Sequence, residues 1–265
     1  MRILDAALTL FLASICAAGA AGIKTEVLNY TVDGTVMRGY LACPDGLTGR
    51  RPGVLVVHEW MGLNDYARRR AEQLAAMGYV ALAADMYGEG KVAKDTEEAG
   101  KLAGALRAGD RALLRKRAAA ALAALKSSPH TDPDRLAAIG YCFGGTPVLE
   151  LARSGADLRG VVSFHGGLDT PNPGDTRHVK AAILVCHGAD DPFNPKAVVD
   201  AFQNEMRQSG ADWQMVFYGG AVHSFTNPDS GNDKSKGVAY DPKADRRSWD
   251  LMRAFLAELF GESRN

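Results

Sequence analysis

The chain has 265 residues, of which 46% are hydrophobic, and its 31 lysine and arginine residues balance 31 aspartate and glutamate residues. This length fits one large α/β domain better than two small ones. The balanced charge argues against a nucleic-acid partner, because nucleic acids are bound by dense basic patches. No basic run is longer than residues 68–70, and three arginines in a helix-like segment are typical of a solvated helix face.

The first residues differ from the rest of the chain. Arg2 precedes an apolar run over residues 6–18, and small residues occupy most of positions 17–22. This pattern predicts a signal peptide over residues 1–22 and therefore an exported protein, either periplasmic or secreted. The apolar run is too short to span a bilayer, so we expect no stable membrane anchor. Asp5 is unusual near the charged end of a signal, and a helix packed on the body is the alternative.

The remaining chain reads as alternating strands and helices after an initial hairpin. Residues 26–31 and 36–41 alternate in polarity around Asp33-Gly34, which predicts this hairpin. The later predicted elements are strand 54–57, helix 66–77, strand 79–84, two helices within 94–126 with Asp110 as a cap of the second, strand 135–139, helix 145–152, strands 160–164 and 182–186, helix 195–208, strand 213–217 and helix 244–260. The order predicts a single α/β domain over residues 23–265, with a mostly parallel, twisted sheet and helices on both faces.

A cysteine lies between two glycines directly after the strand predicted at 135–139. Residues 140–145 read Gly-Tyr-Cys-Phe-Gly-Gly, which places Cys142 on a sharp turn from strand to helix, a nucleophile elbow. Side chains at Gly140 and Gly144 would collide with such a turn. The start of the following helix favours a thiolate over a thiol. A buried, inert cysteine is the alternative for an isolated motif, so the interpretation depends on its partners.

Candidate partners of this thiol follow two later strands. Residues 187–193 form a turn that carries Asp190 and Asp191, and His223 follows the strand predicted at 213–217. Cysteine, acid and histidine thus occur in the chain order of the α/β-hydrolase triad, beyond strand ends where such folds place catalytic groups. The sequence predicts His223 as the base and one of the two aspartates as the acid that orients it.

From about residue 25 to 260 the sequence resembles the dienelactone hydrolase family of α/β-hydrolases. The most specific segments are residues 140–145, 187–191 and 223–228. The resemblance implies an enzyme that hydrolyses an ester or lactone through a thioacyl intermediate on Cys142, with Asp191 as the acid. It also gives a role to Glu59, because a glutamate at this position in the family lies beside the thiol and is thought to take its proton when substrate displaces it.

Two backbone N–H groups are expected to form the oxyanion hole, those of Phe143 after the nucleophile and Trp60 after the first long strand. Acyl transfer of this kind takes a small-molecule substrate and needs neither a metal nor an organic cofactor. Three further histidines follow strands without a clear ligand spacing, so we expect no zinc site at His58, His165 and His187.

The chain departs from the archetypal dienelactone-cleaving members of the family at two positions. Those members bind the carboxylate of the substrate with two arginines, and the corresponding places here hold Glu89 and Asn227. Neither side chain can pair with a carboxylate as arginine does. The sequence therefore predicts an uncharged ester or lactone, unless Lys91 or another cation reaches the site.

Two other classes of protein stay open at this point. The first is a non-catalytic ligand-binding or scaffold protein on the same fold. The second is a redox or metal-handling thiol protein, against which the absence of a Cys-x-x-Cys pair argues. A disulfide between Cys43 and Cys186 also stays open, since an oxidising compartment allows it and would leave Cys142 free. We expect a monomer or a small homo-oligomer.

Overall fold

A computed structural model describes residues 22–261, so the predicted signal peptide lies, except for Gly22, outside the described residues. Within them, strands and helices alternate as predicted. The strands are β1 (Ile23–Val32), β2 (Thr35–Pro44), β3 (Arg51–Val57), β4 (Val80–Ala84), β5 (Thr131–Tyr141), β6 (Gly160–Phe164), β7 (Ala182–Gly188) and β8 (Trp213–Tyr218). The helices are α1 (Asp65–Ala76), α2 (Thr96–Arg107), α3 (Ala112–Ser127), α4 (Gly145–Arg153), α5 (Lys196–Ser209) and α6 (Pro242–Phe260). None of these helices is both long enough and apolar enough to cross a bilayer.

All of the strands join one sheet in the order β1-β2-β4-β3-β5-β6-β7-β8. The predicted hairpin is present, with β1 antiparallel to β2 and β2 antiparallel to β4. The other neighbouring strands, from β4 to β8, are parallel. The chain runs from β3 outward to β4 and then crosses to β5 on the other side of β3. Open α/β sheets bind ligands at such a reversal, at the carboxyl ends of the strands.

The central strands are buried on both faces, which explains their continuous apolar sequences. Leu55 and Val57 of β3 face a core cluster covered by α2 to α5, whereas Val54 and Val56 face a second cluster covered by α1 and α6. Successive strand residues point to opposite faces, so one apolar run contributes to both clusters. The prediction of a mostly parallel sheet with helices on both faces is confirmed.

Several boundaries differ from the prediction, and two of them have a specific local cause. β5 begins at Thr131, ahead of the predicted start at residue 135, because its first residues pair with β3 before a register shift in that strand. α3 begins after Arg111, whose φ is 61°, whereas Asp110 accepts a hydrogen bond from the Ala112 N–H at 3.0 Å. Asp110 therefore binds the first turn of α3 without occupying the cap position.

The disulfide left open by the sequence is absent. Cys43 lies on β2 and Cys186 on β7, and four strands separate these two in the sheet. Because neighbouring strands lie about 4.8 Å apart, the separation is on the order of 20 Å, well beyond the reach of a disulfide. Cys43, Cys142 and Cys186 are all free, and Cys43 and Cys186 are buried.

Candidate active site

Cys142 lies on the sharp turn between β5 and α4. Its φ is 52°, in the left-handed region that non-glycine residues rarely adopt. A Cβ built at Gly140 would lie 2.0 Å from the Gly144 carbonyl oxygen, and one at Gly144 would lie 2.2 Å from the Val57 carbonyl oxygen. Glycine is thus required where the turn closes on itself and where it packs against the end of β3.

The structure brings the predicted acid and base to this cysteine. His223 Nε2 lies 3.0 Å from Cys142 Sγ, and His223 Nδ1 lies 2.9 Å from Asp191 Oδ2. The other Asp191 oxygen accepts a hydrogen bond from the Phe193 N–H at 2.8 Å. Asp190 is exposed, so the choice between the two aspartates made from the family resemblance agrees with this geometry.

The contacts of His223 with Cys142 and Asp191 favour its protonated form. Burial alone would lower the pKa of His223, but Cys142 and Asp191 raise it to about 10. Burial would raise the pKa of Asp191, but the hydrogen bond from His223 and its charge, together with the Phe193 N–H, hold that pKa below its usual range. The arrangement thus favours the imidazolium form of His223, which can protonate an alkoxide leaving group.

A second histidine, His165, is hydrogen-bonded to the backbone of the elbow. The backbone N–H of Cys142 donates to Nδ1 of His165 at 3.1 Å, and His165 Nε2 lies 2.7 Å from the Thr226 hydroxyl. Burial lowers the pKa of His165 well below its usual value, so the ring is neutral. Since Nδ1 accepts, the proton is on Nε2 and is donated to Thr226. Sequence reasoning gave His165 no role, although its position directly after β6 was a signal.

Glu59 is buried, and its carboxylate is bonded by two side chains that follow His223 in the chain. Its carboxylate accepts hydrogen bonds from the Ser224 hydroxyl and from Nδ2 of Asn227, both at 2.5 Å. Within residues 22–261 no hydrogen bond joins Glu59 to Cys142, whose thiol pairs with His223 instead. Two donors beside His223 hold this carboxylate, and its role as acceptor of the thiol proton after displacement by substrate stays a prediction. Burial raises the pKa of Glu59.

The two expected oxyanion donors are free. In the described part of the chain, neither the Phe143 N–H nor the Trp60 N–H has a hydrogen-bond acceptor. Phe143 follows Cys142 in the elbow, and Trp60 follows β3, against whose end the elbow packs. Unpaired N–H groups flanking a nucleophile are the arrangement that an oxyanion hole requires.

One cation does reach this region, and it is Arg107 at the end of α2. Its guanidinium carbon lies 5.5 Å from the centre of the Phe143 ring, and no carboxylate among residues 22–261 pairs with it. Glu89 is exposed, and Asn227 is occupied by Glu59. The side chains at the two positions of the family's arginines therefore offer no cation, whereas Arg107 offers one from elsewhere in the sequence.

His187 lies behind the acid rather than beside the thiol. It lines a groove of about 480 Å³ together with Asp191 and residues of α5, and Cys142 is not part of this groove. Its Nδ1 is buried and has no hydrogen-bond partner among residues 22–261. Nowhere in that range do three or more histidine, cysteine, aspartate or glutamate side chains form a group suited to a metal ion.

A mostly parallel sheet with an elbow after β5, an acid after β7 and a histidine after β8 defines the α/β-hydrolase fold. The sequence model of the dienelactone hydrolase family matches residues 37–260. The chain belongs to this family.

Solved structures and curated proteins agree with this assignment. The structure of m3DLH is 46% identical, with a TM-score of 0.86 over 91% of this chain and 99% of that one. A dienelactone hydrolase-like promiscuous phosphotriesterase from metagenomic libraries is 43% identical, with a TM-score of 0.85 over the same shares. A Bradyrhizobium protein named probable 2-oxo-3-(5-oxofuran-2-ylidene)propanoate lactonase is 31% identical over 88% of this chain and 94% of its own length. The family supports a hydrolase that acts on esters or lactones.

Proposed function

We propose that this protein is an exported hydrolase with a cysteine nucleophile, and that it cleaves a small ester or lactone through a thioacyl intermediate on Cys142. One observation carries the proposal, the continuous chain of contacts from Cys142 Sγ to His223 Nε2 at 3.0 Å and from His223 Nδ1 to Asp191 Oδ2 at 2.9 Å. Nucleophile, base and orienting acid in hydrogen-bond reach are the requirements for covalent acyl transfer.

In the proposed reaction, the Cys142 sulfur attacks the carbonyl carbon and the carbonyl oxygen becomes an oxyanion. The N–H groups of Phe143 and Trp60 stabilise this charge. When the bond to the alcohol oxygen breaks, the leaving alkoxide takes the proton of the His223 imidazolium. His223, now neutral, removes a proton from water, and the resulting hydroxide attacks the thioester. The acid leaves, and the thiolate and imidazolium are restored.

Glu59 has a supporting role in this scheme. Its carboxylate accepts from Ser224, which directly follows His223 in the chain, and from Asn227, three residues further on. We therefore assign the thiol proton to His223. For Glu59 to take that proton, a substrate would first have to displace it from both donors.

The substrate class rests on the family and on the named relatives. One relative carries the name of a lactonase and another is described as a promiscuous phosphotriesterase. Both reactions begin with attack on an electrophilic centre that bears an ester oxygen. We therefore favour esters and lactones, with a neutral phosphotriester as a further substrate to test, and the place of Arg107 beside Phe143 leaves room for an anionic group on the acid part. A non-catalytic binding protein on the same fold is the alternative.

Export is proposed from the sequence of residues 1–22 alone. Fusion of these residues to a reporter enzyme that is active only outside the cytoplasm tests it. We expect an active and shortened fusion, and an inactive, full-length fusion would overturn the export proposal without touching the hydrolase proposal.

The hydrolase proposal is tested with the chain from residue 23 and p-nitrophenyl acetate. We expect Cys142→Ala to lower the rate at least about 1,000-fold, because the nucleophile is lost. Cys43→Ala, which removes a buried thiol on β2, serves as the matched control and keeps the rate within about twofold. Mass spectrometry of quenched wild-type enzyme should show one acyl group on Cys142. No turnover above the Cys142→Ala background on several esters, lactones and a phosphotriester would favour the binding-protein alternative.

A further inference from the structure

His58 is buried at the end of β3 and makes two hydrogen bonds that fix its tautomer. Its Nε2 accepts from the Met86 N–H at 3.3 Å, and its Nδ1 lies 2.5 Å from the Glu59 carbonyl oxygen. A carbonyl oxygen only accepts, and Nε2 already accepts from a backbone N–H. The proton is therefore on Nδ1, which donates a hydrogen bond to the backbone carbonyl oxygen of Glu59. Burial lowers the pKa of His58 to about 4, so this neutral form persists at neutral pH.

The peptide group that His58 binds is the one that carries the Trp60 N–H. The Glu59 carbonyl and the Trp60 N–H belong to one planar trans peptide, so they point in opposite directions. The Gly62 N–H donates to the same carbonyl at 3.2 Å. Fixing this carbonyl from one side thus fixes the direction of the Trp60 N–H on the other.

The next peptide group is held as well. The Tyr87 hydroxyl donates to the Trp60 carbonyl oxygen at 2.6 Å. Rotation of the Glu59–Trp60 peptide would break the contacts at the Glu59 carbonyl, and the Tyr87 hydrogen bond limits compensating movement of the Trp60–Met61 peptide that follows it. The Trp60 N–H itself has no acceptor among residues 22–261.

The same two side chains connect this segment to the elbow. The His58 ring stacks on Phe143 with centroids 5.8 Å apart and contacts Tyr87 edge-on at 5.0 Å, and Tyr87 contacts Phe143 at 5.8 Å. The residue that follows the nucleophile and the residues that hold the Trp60 peptide therefore form one packed aromatic group. A shift of either N–H donor relative to the other would disturb this packing.

We propose that His58 and Tyr87 are positioning residues that aim the Trp60 N–H at the oxygen of the reacting carbonyl. The inference rests on the proposed function, because only acyl transfer builds an oxyanion at that place. His58 transfers no proton in this role. It acts through the Glu59–Trp60 peptide, and Tyr87 acts through the Trp60 carbonyl.

The experiment compares two reactions of the same thiol in the chain from residue 23. The first is acylation by p-nitrophenyl acetate, followed in the pre-steady state, whose transition state develops an oxyanion. The second is alkylation by iodoacetamide, in which the Cys142 sulfur displaces iodide from carbon and no oxyanion forms. A residue that aims an oxyanion donor changes the first rate and not the second, whereas damage to the thiol or to the fold changes both.

Three variants separate shape from hydrogen bonding. His58→Phe keeps a ring against Tyr87 and Phe143 but removes both hydrogen bonds. His58→Gln keeps one donor and one acceptor, at about the spacing of the two ring nitrogens. Tyr87→Phe removes one hydroxyl and keeps the ring, so it stays informative if burial of unpaired groups stops His58→Phe from folding.

We expect His58→Phe and Tyr87→Phe to lower the acylation rate about 10- to 100-fold, a fraction of the loss on removing an oxyanion donor altogether. Alkylation should stay within about threefold of wild type, and His58→Gln should recover most of the acylation rate. Equal losses in both reactions, or unchanged acylation in folded Tyr87→Phe and His58→Phe, would overturn the inference. A wild-type enzyme that shows no acylation at all would instead overturn the proposed function.

Discussion

Asp191 and His223 are joined by a hydrogen bond of 2.9 Å, whereas the carboxylate of the adjacent Asp190 is exposed and binds no side chain within residues 22–261. Two neighbouring aspartates on one turn thus have different surroundings. Only the buried one can stabilise an imidazolium and hold its Nδ1–H.

This difference predicts opposite outcomes for two matched substitutions. Asp191→Asn should lower kcat for p-nitrophenyl acetate about 100-fold or more, because a neutral amide neither stabilises the His223 charge nor fixes its tautomer. Asp190→Asn should keep kcat within about twofold. Steady-state kinetics of the two variants checks this. A larger loss of kcat in Asp190→Asn than in Asp191→Asn would mean that Asp190, and not Asp191, is the acid of the triad.

Gly144 and Gly100 give a matched pair for the elbow. A Cβ at Gly144 would lie 2.2 Å and 2.7 Å from two backbone oxygens at the end of β3, whereas one at Gly100 in α2 meets nothing within 4 Å. We expect Gly144→Ala to destabilise the fold by about 2–3 kcal/mol. Gly100→Ala should stabilise it by about 0.5–1 kcal/mol, because alanine favours the helix. Urea unfolding measures both, and equal effects would contradict the close packing of the elbow.

Burial of Glu59 predicts a pH-dependent stability. Its folded-state pKa is raised above the ordinary value of 4.5. The stability linked to this proton is therefore fully present below pH 4.5 and is lost as pH rises through the folded-state pKa. We expect the Tm of wild type relative to Glu59→Gln to fall as pH rises above 4.5, as measured by thermal unfolding over a series of pH values from 4.5 upward. A Tm difference that stays constant or grows with pH would contradict this, because it would mean that solvent or the hydrogen bonds from Ser224 and Asn227 fully offset the cost of burying the charged carboxylate.

Arg107 predicts a preference that depends on the charge of the acid part of the substrate. We expect Arg107→Glu to lower kcat/KM for mono-p-nitrophenyl glutarate, which is anionic, about three- to tenfold more than for neutral p-nitrophenyl valerate. The difference should shrink in high salt, since this side chain is exposed. Lys101→Glu is the control, because it reverses a charge on the same helix. The Lys101 ammonium is already paired with the carboxylate of Glu97. An equal loss of kcat/KM for both esters would mean that Arg107 does not select substrates by their charge.

Most of the fold was predictable because glycines and apolar runs mark its boundaries clearly. Gly78, with φ of 96°, ends the segment of α1, and the apolar residues of β3, β4 and β7 could only be buried in a parallel sheet. The start of β5 was not predictable, because Asp132 and Pro133 resemble a turn. Asp132 pairs with β3, and the pairing resumes at Leu136 only after a register shift that depends on the folded sheet.

The candidate site divides in the same way. Cys142, Asp191 and His223 follow strand ends in a recognisable order, so sequence reasoning could find them. The contacts of His165 and Ser224 could not be read from spacing, since each links segments 23 and 165 residues apart in the chain. The orientation of Glu59 is likewise set by Ser224 and Asn227, each of which donates to one oxygen of its carboxylate.

The burial of Cys43 and Cys186 in the sheet has a practical consequence for preparing this enzyme. Within residues 22–261, Cys142 is the cysteine that a bulky thiol reagent can meet without unfolding the chain. With the chain from residue 23, a chromogenic disulfide reagent should therefore consume one equivalent per folded molecule, so that the colour released counts molecules with an accessible Cys142 thiol. Reductant can also be present during purification and storage, because residues 22–261 contain no cross-link for it to break.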